Sequence, residues 1–313
     1  MLNFIIKRLL TSILVIIGVT IVIFSLVHMA PGDPVQMMAG LDAKEEDIEA
    51  FRAKMGMDKP LIVQYFNYVK GLLHLDLGKS IITNKNISDE IFFRFRNTAE
   101  LAVAGMLISS VFGIISGIIA AVNRDRWLDK TLMSLSITGI SMPSFLLALL
   151  LMLLLGSQWH LLPASGREGS PFTAEGFKYI ILPALTLGIS GTASIARLTR
   201  SSVVAVLNEE FVMTLKAKGL RRKMILFKHI LRNASLPILT MIGLDFGYLL
   251  GGAVVTETIF AWPGIGKYAM DAISQNDFPA VQGAVLILSM MFMLINLVVD
   301  LLYGVLDPRV SLE

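Results

Sequence analysis

Residues 236–256 read Leu-Pro-Ile-Leu-Thr-Met-Ile-Gly-Leu-Asp-Phe-Gly-Tyr-Leu-Leu-Gly-Gly-Ala-Val-Val-Thr, with Asp245 as the lone charge. A helix needs about 20 mostly apolar residues to cross the hydrocarbon core of a bilayer, so this run is a membrane span. Gly247-x-x-x-Gly251 is a pattern of small residues that lets helices approach closely. An aspartate at the centre of a span costs about 2.5–3.5 kcal/mol on insertion scales, so Asp245 must face protein or water. A residue of a transport pathway and a buried interhelical hydrogen bond are both open readings. The rule that intramembrane acids serve function favours the first.

Outward from this run, five more windows qualify, at 9–29, 99–122, 132–155, 179–198 and 281–303. The whole chain agrees, with 313 residues that are 55% apolar and only 16% charged. Soluble domains carry about 25% charged residues, so two ordinary soluble domains are excluded, and so is disorder. The expected class is an all-α membrane protein of six transmembrane helices. Lys7 and Arg8 before the first run resemble a secretory leader. The run is too long for one and has no convincing cleavage site, so it is expected to be a retained span.

Basic residues orient the spans. With the N-terminus inside, the inner segments hold Lys7, Arg8, Arg124, Arg126, Lys130, a dense cluster from Arg197 to Arg232, and Arg309. The short outer loops 156–178 and 257–280 hold only Arg167, Lys178 and Lys267. Both termini are therefore expected in the cytoplasm.

Three segments leave the membrane. Segment 30–98 sits outside, where Ile48, Phe51 and Met55 suggest one short helix and the apolar positions from 61 to 73 a second, started by Asp58 and Pro60. A structural cap and a docking platform for an extracytoplasmic partner are both open. Segment 199–235 sits inside, with Asn208 as an expected N-cap, Glu209 and Glu210 in a first turn, Phe211 and Leu215 on one apolar face, and Gly219 as the stop. Leu220, Arg221, Arg222 and Lys223 lead into a second amphipathic helix. Such a loop is unusual if nothing docks on it, whereas nucleic acid is improbable because basic clusters beside spans are topology signals. Segment 257–280 holds Glu257, then Trp262, suited to the aromatic belt, then Pro263 and Gly264, which turn the chain back toward the membrane at the outer mouth of a pathway.

Pro143 and Pro183 each remove an intrahelical bond and allow a kink. Gly113 and Gly117 are expected to serve packing. Gly78-Lys79-Ser80 lacks the first glycine of a phosphate loop, that position being Leu73, and Gly264-x-Gly266-x-x-Ala269 lacks any βαβ context. With no cysteine and four scattered histidines, no metal site, cofactor site or catalytic constellation is expected. The core has the features of a pathway and no chemistry or energy source of its own.

Taken in order, several stretches resemble one family. They are Ile6-Lys-Arg-Leu9, His28-Met-Ala-Pro-Gly-Asp-Pro34, Ala217-Lys-Gly-Leu220, His229-Ile-Leu-Arg-Asn-Ala234, Gly251-Gly-Ala-Val-Val-Thr-Glu257, Ile259-Phe-Ala-Trp-Pro-Gly-Ile-Gly266, Asp300-Leu-Leu-Tyr303 and Leu306-Asp-Pro-Arg309. Together they are similar to the permease subunits of bacterial ABC importers, in the dipeptide, oligopeptide, nickel and glutathione branch. The resemblance implies a type I importer permease fold with a small helical extracytoplasmic insert. It divides the chain into an N-terminal span 1–29, the insert 30–98, and a five-span core 99–313 holding the coupling loop 199–235. It implies that Glu210, Phe211, Leu215, Ala217, Lys218, Gly219, Leu220 and Arg221 form an EAA-type loop that docks on an ATPase subunit. Met213-Thr-Leu215 stands where the general motif begins Glu-Ala-Ala, a departure that fits the peptide and nickel branch. Asp245, Pro143, Gly247 and Gly251 would line the translocation path, and Glu257, Trp262 and Pro263 its outer mouth. The implied setting is the bacterial cytoplasmic (inner) membrane. The implied partners are a second permease in a heterodimer, two ATPase subunits, and a solute-binding protein that docks on 30–98. Nickel-chelate or glutathione import, and a self-contained channel or carrier, are the alternatives.

Overall fold

The computed structural model describes residues 2–29, 45–46, 49, 52–53 and 56–306. Ten helices have both ends among the described residues. These are α1 Leu2–Met29, α2 Leu61–Leu73, α3 Ile87–Val122, α4 Trp127–Ser141, α5 Ser144–Gln158, α6 Ala174–Leu207, α7 Glu210–Ala217, α8 Arg222–Ile259, α9 Ile265–Ser274 and α10 Phe278–Leu306. Five of them, α1, α3, α6, α8 and α10, are long and apolar enough to cross a membrane. The pair α4 and α5 passes the same test of length and apolarity only when taken together, as a broken span or a re-entrant loop, which makes six candidate spans among the described residues. Two compact units are present. One comprises Met1–Phe4, Thr98–Trp262 and Leu294–Glu313, and the other Ile5–Asn97 and Pro263–Met293.

The third apolar window, 132–155, is not a kinked rod. Met142 is extended, Pro143 caps α5 at φ −58° and ψ 134°, and the two helices meet at 103°. The residue before a proline is pushed toward extended backbone, and proline has no N–H to carry the helix across, so the break falls there. The last turns of α5, Met152–Gln158, widen into π-helix. By contrast Pro183 in α6 and Pro237 in α8 lie inside continuous helices.

In the first unit, α3 and α6 pack through small residues. A Cβ at Gly113 would lie 2.7 Å from Ile195 Cβ, and one at Gly117 would lie 2.5 Å from Thr199 Cβ. Gly188 of α6 takes Ile108 of α3 in the same way. This is the packing role read from Gly113 and Gly117. The pattern at Gly247 and Gly251 behaves differently. Gly251 is exposed with open space beside it, and the close approach on α8 falls instead at Gly243, against Val299. At the start of α6, Thr173 Oγ1 accepts from Gly176 N–H at 3.1 Å, an N-cap that fixes where the helix begins.

In the second unit, α2 begins after Pro60 as expected, whereas the helix expected around Ile48, Phe51 and Met55 falls mainly outside the described residues. Helix α3 starts at Ile87, within the segment assigned to the insert, and its 36 residues rise about 54 Å, far more than the ~30 Å hydrocarbon layer. Asp277 joins several pieces of this unit. It caps α10 by accepting from Ala280 N–H, accepts from Ile81 N–H at 3.2 Å, and takes the Ser80 hydroxyl at 2.5 Å.

Candidate functional site

The loop between α6 and α8 is the most constructed surface of the first unit. Asn208 ends α6 as its C-cap and does not start α7, whose cap is Glu209, with no side-chain bond. Asn208 keeps a helical backbone at φ −91° and ψ −1°, so the extended geometry that an N-cap needs falls one residue later, at Glu209. At the other end the expectation holds. Gly219 has φ +75°, its N–H donates to Lys216 O at 3.0 Å, and Leu220 N–H donates to Leu215 O at 3.3 Å. That pair of bonds is a Schellman closure, which needs a left-handed residue and so favours glycine.

The faces of α7 are divided. Val212 is fully buried, and Phe211, Leu215 and Leu220 pack with it against Val206, Ile225, Ile230 and Ala234. Glu210, Met213, Ala217, Lys218 and Arg221 are exposed. Phe211 and Leu215, two of the residues expected to meet a partner, therefore hold the helix to its own chain. Met213, 72% exposed, is the apolar side chain that the outer face offers. Periodicity alone could have found it, because Met213 falls opposite the stripe formed by Phe211, Val212 and Leu215. Beyond Gly219, Ile225–Ile230 is π-helical and leads directly into the rest of α8.

Asp245 lies where three helices of the first unit meet. A Cβ at Gly191 of α6 would collide with its Oδ2 and lie 2.9 Å from Ser109 Cβ of α3. Asp245 is 8% exposed, its Oδ2 is buried without a hydrogen-bond partner, and the Ser109 hydroxyl donates to Met106 O at 3.0 Å. Burying a carboxylate oxygen without a hydrogen-bond partner is costly. Of the other pathway candidates, Gly247 is buried with Asp245, while Pro143 and Gly251 are exposed.

Toward the other end of α8, Glu257 is fully buried and accepts the Thr98 hydroxyl at 2.7 Å. Helix α8 closes with a second Schellman turn. Trp262 N–H donates to Glu257 O at 2.8 Å, Ala261 N–H to Thr258 O at 3.3 Å, and Ala261 takes φ +50°. The turn is thus made by Ala261, before Pro263 and Gly264. Trp262 is not a belt residue. It is fully buried among Leu101, Ile180, Ala184, Leu187, Leu249 and Ala253, with the Arg167 guanidinium 5.3 Å from its ring centre. Arg167 also binds Glu100 at 2.7 Å. Its ring size and apolar neighbours decide for the core over the interface, which no local pattern reveals.

In the second unit, Pro263 O accepts from Asn97 Nδ2 at 2.7 Å, and Arg94 lies over the Tyr268 ring at 4.8 Å while binding Glu90. Burial, with Asp277 and Glu90 nearby, pushes the Tyr268 hydroxyl up to about 12, so it stays protonated at any working pH.

Two family models cover this architecture. The inner membrane component of binding-protein-dependent transport systems matches residues 113–312, and the N-terminal portion of the same components matches residues 1–102. The chain belongs to the inner-membrane permeases of binding-protein-dependent transport. Among curated proteins it is similar to the glutathione transport system permease protein GsiC of Escherichia coli O6:H1, 42% identical over 310 residues and 99% of each chain. It is equally similar to the dipeptide transport system permease protein DppB of Escherichia coli K12, 42% identical over 335 residues and again 99% of each. A solved structure of the MetNI methionine ABC transporter, in an inward-facing conformation, aligns with a TM-score of 0.57 at 15% identity. It covers 69% of this chain and 96% of the other, and so shares the fold of a type I importer permease.

Within such a permease the site divides in two. The α7 loop has an exposed face that carries Glu210 and Met213, and the Asp245 junction is a buried polar point among spans. Among the described residues no group of histidine and acidic side chains could hold a metal ion.

Proposed function

We propose that this permease forms half of a translocation pathway for short peptides, paired with a second homologous permease, two ATP-binding cassette subunits and an extracytoplasmic binding protein. The observation that carries the reading is α7. An eight-residue helix, closed at Gly219 and fastened by Val212, presents Glu210, Met213, Ala217, Lys218 and Arg221 outward between two spans. A permease that holds no energy source needs a surface on which an ATPase can push, and this is that surface. ATP hydrolysis belongs to the partners. The basic cluster around it supports a cytoplasmic location, which puts both termini inside and α8's Glu257 end outside. Glu257, Trp262 and Pro263 then support the outer mouth, and Asp245 with Gly247 the pathway. The division into a first span, an insert and a five-span core, and docking of the binding protein on the insert, belong to the same reading. Relatives that carry dipeptides and glutathione support a substrate with a peptide backbone, and glutathione stands beside dipeptides because the two relatives match equally well.

The test is purification from native membranes in mild detergent, followed by uptake of labelled dipeptide and labelled glutathione in reconstituted vesicles. Recovery of a second six-span permease with ATPase subunits, and ATP-dependent uptake of one of the two labels, is expected. A chain that purifies alone and passes solute without ATP would put a channel or carrier in its place.

A further inference from the structure

Helix α2 touches α1 well below the end of the span. The hydroxyls of Tyr65 and Thr20 are 2.9 Å apart, the Phe24 ring lies 5.4 Å from that of Tyr65 and 6.1 Å from that of Tyr68, and the His28 ring meets Gln64 at 3.1 Å. The apolar window of α1 is Leu10–Met29. Thr20 stands nine residues from Met29, about 13 Å along a helix rising 1.5 Å per residue, near the middle of a ~30 Å hydrocarbon layer. A tyrosine side chain bridges little more than one helical turn of height, so the backbone of α2 at Tyr65 lies within that layer and not on the headgroups.

The sequence of α2 agrees with that depth. Tyr65 and Tyr68 turn toward α1, while Ile62, Phe66, Val69 and Leu73 fall within about 60° of one another on a helical projection. Ile62 is 70% exposed, Phe66 66% and Leu73 80%, and the helix buries none of its residues. This stripe is of the same kind as the face of α1 that carries Leu14, Ile17 and Ile21, all exposed within the apolar window of that span. Lys59 and Lys70 flank the stripe with stems long enough to bring their charges to the headgroups.

We propose that α2 is embedded in the leaflet at the Met29 end of α1, with Ile62, Phe66, Val69 and Leu73 against lipid acyl chains. The depth argument holds whichever side that leaflet faces; on the topology proposed above it is the outer one. The consequence is that this stripe is not part of any surface offered to a binding protein.

The chain has no cysteine, which makes site-directed labelling direct. Single cysteines at Ile62, Phe66, Asn67 and Lys70 are spin-labelled in the full-length permease, reconstituted with its copurifying subunits in lipid nanodiscs. Collision with oxygen, which concentrates in lipid, is compared with collision with a water-soluble nickel chelate. The oxygen-to-nickel ratio is expected to be several-fold higher at 62 and 66 than at 67 and 70. Equal nickel access at all four positions would overturn the proposal, and protection of 62 and 66 on adding the binding protein would then assign the stripe to that partner. Labels at 62 and 66 shielded from both relaxers would overturn it in favour of cover by another subunit.

Discussion

Arg200 of α6 grips Asp129 of α4 with two nitrogens, Nε to Oδ1 at 2.5 Å and Nη2 to Oδ2 at 2.6 Å. Asp129 is buried, with its side chain 3% exposed, and Oδ2 also accepts from Asp125 N–H at 2.9 Å. The pair clamps α4 to α6, seven residues before α6 ends at Leu207. Removing one partner of a buried pair leaves the other unsatisfied, at about 3–5 kcal/mol. Arg200→Ala should lower the thermal stability of the detergent-solubilised permease sharply, whereas Asp129→Ala with Arg200→Leu should recover much of it. Equal losses in the single and double variants, measured by temperature-dependent gel filtration, would deny the clamp.

The collision between a Cβ at 191 and Asp245 gives a suppressor test. Gly191→Ala should overpack the junction and cost about 1–3 kcal/mol, and Asp245→Ala or Asp245→Gly in the same chain should relieve it. Asp245→Asn, which keeps the shape, should leave assembly intact and change ATP-driven uptake. An Asp245→Asn permease that assembles poorly would make this carboxylate a structural element.

Two residues in left-handed turns invite opposite substitutions. Gly219→Pro fixes φ near −65° and removes the N–H that bonds Lys216 O, so uptake should be lost while membrane levels stay unchanged. Ala261→Gly relieves a conformation that costs a residue with a Cβ about 1–2 kcal/mol, and should raise thermal stability by about 1 kcal/mol. A Gly219→Pro permease with normal uptake would remove α7 from energy coupling.

Trp262 separates a core role from a membrane-interface role. As a fully buried ring, its truncation to Ala should cost about 3–5 kcal/mol. A belt tryptophan would lose little, so a Trp262→Ala permease of unchanged stability would return it to the interface.

Much of the architecture is legible because lipid imposes a strong rule. Runs of about 20 apolar residues mark spans, and the five straight ones are found where hydropathy places them. Gly219 announces its own left-handed turn, and Gly113 and Gly117 announce a close packing that their neighbours Ile195 and Thr199 confirm. What stays hidden depends on tertiary neighbours. Pro143 breaks its helix while Pro183, buried in α6, and Pro237, exposed on α8, lie inside continuous helices, so a proline in the sequence does not by itself say where a span breaks. Trp262 goes inward because six buried apolar residues receive it. Val212 anchors α7 although Phe211 and Leu215 carry the more evident pattern. The place that Asp245 Oδ2 takes depends on the absence of a side chain at Gly191, on the preceding span.

The bend at Met142 and Pro143 also has a consequence for biogenesis. Each arm has 15 residues and rises about 22 Å, so neither is tall enough to cross the ~30 Å layer as a separate rod. The third apolar segment therefore cannot leave the translocon as a finished, self-sufficient span. Its first arm gains the bond from Arg200 to Asp129 only when α6 emerges. Membrane insertion of this permease is then paced by synthesis past Leu207, and a nascent chain released at Gln158 would carry an apolar elbow with nothing to lean on.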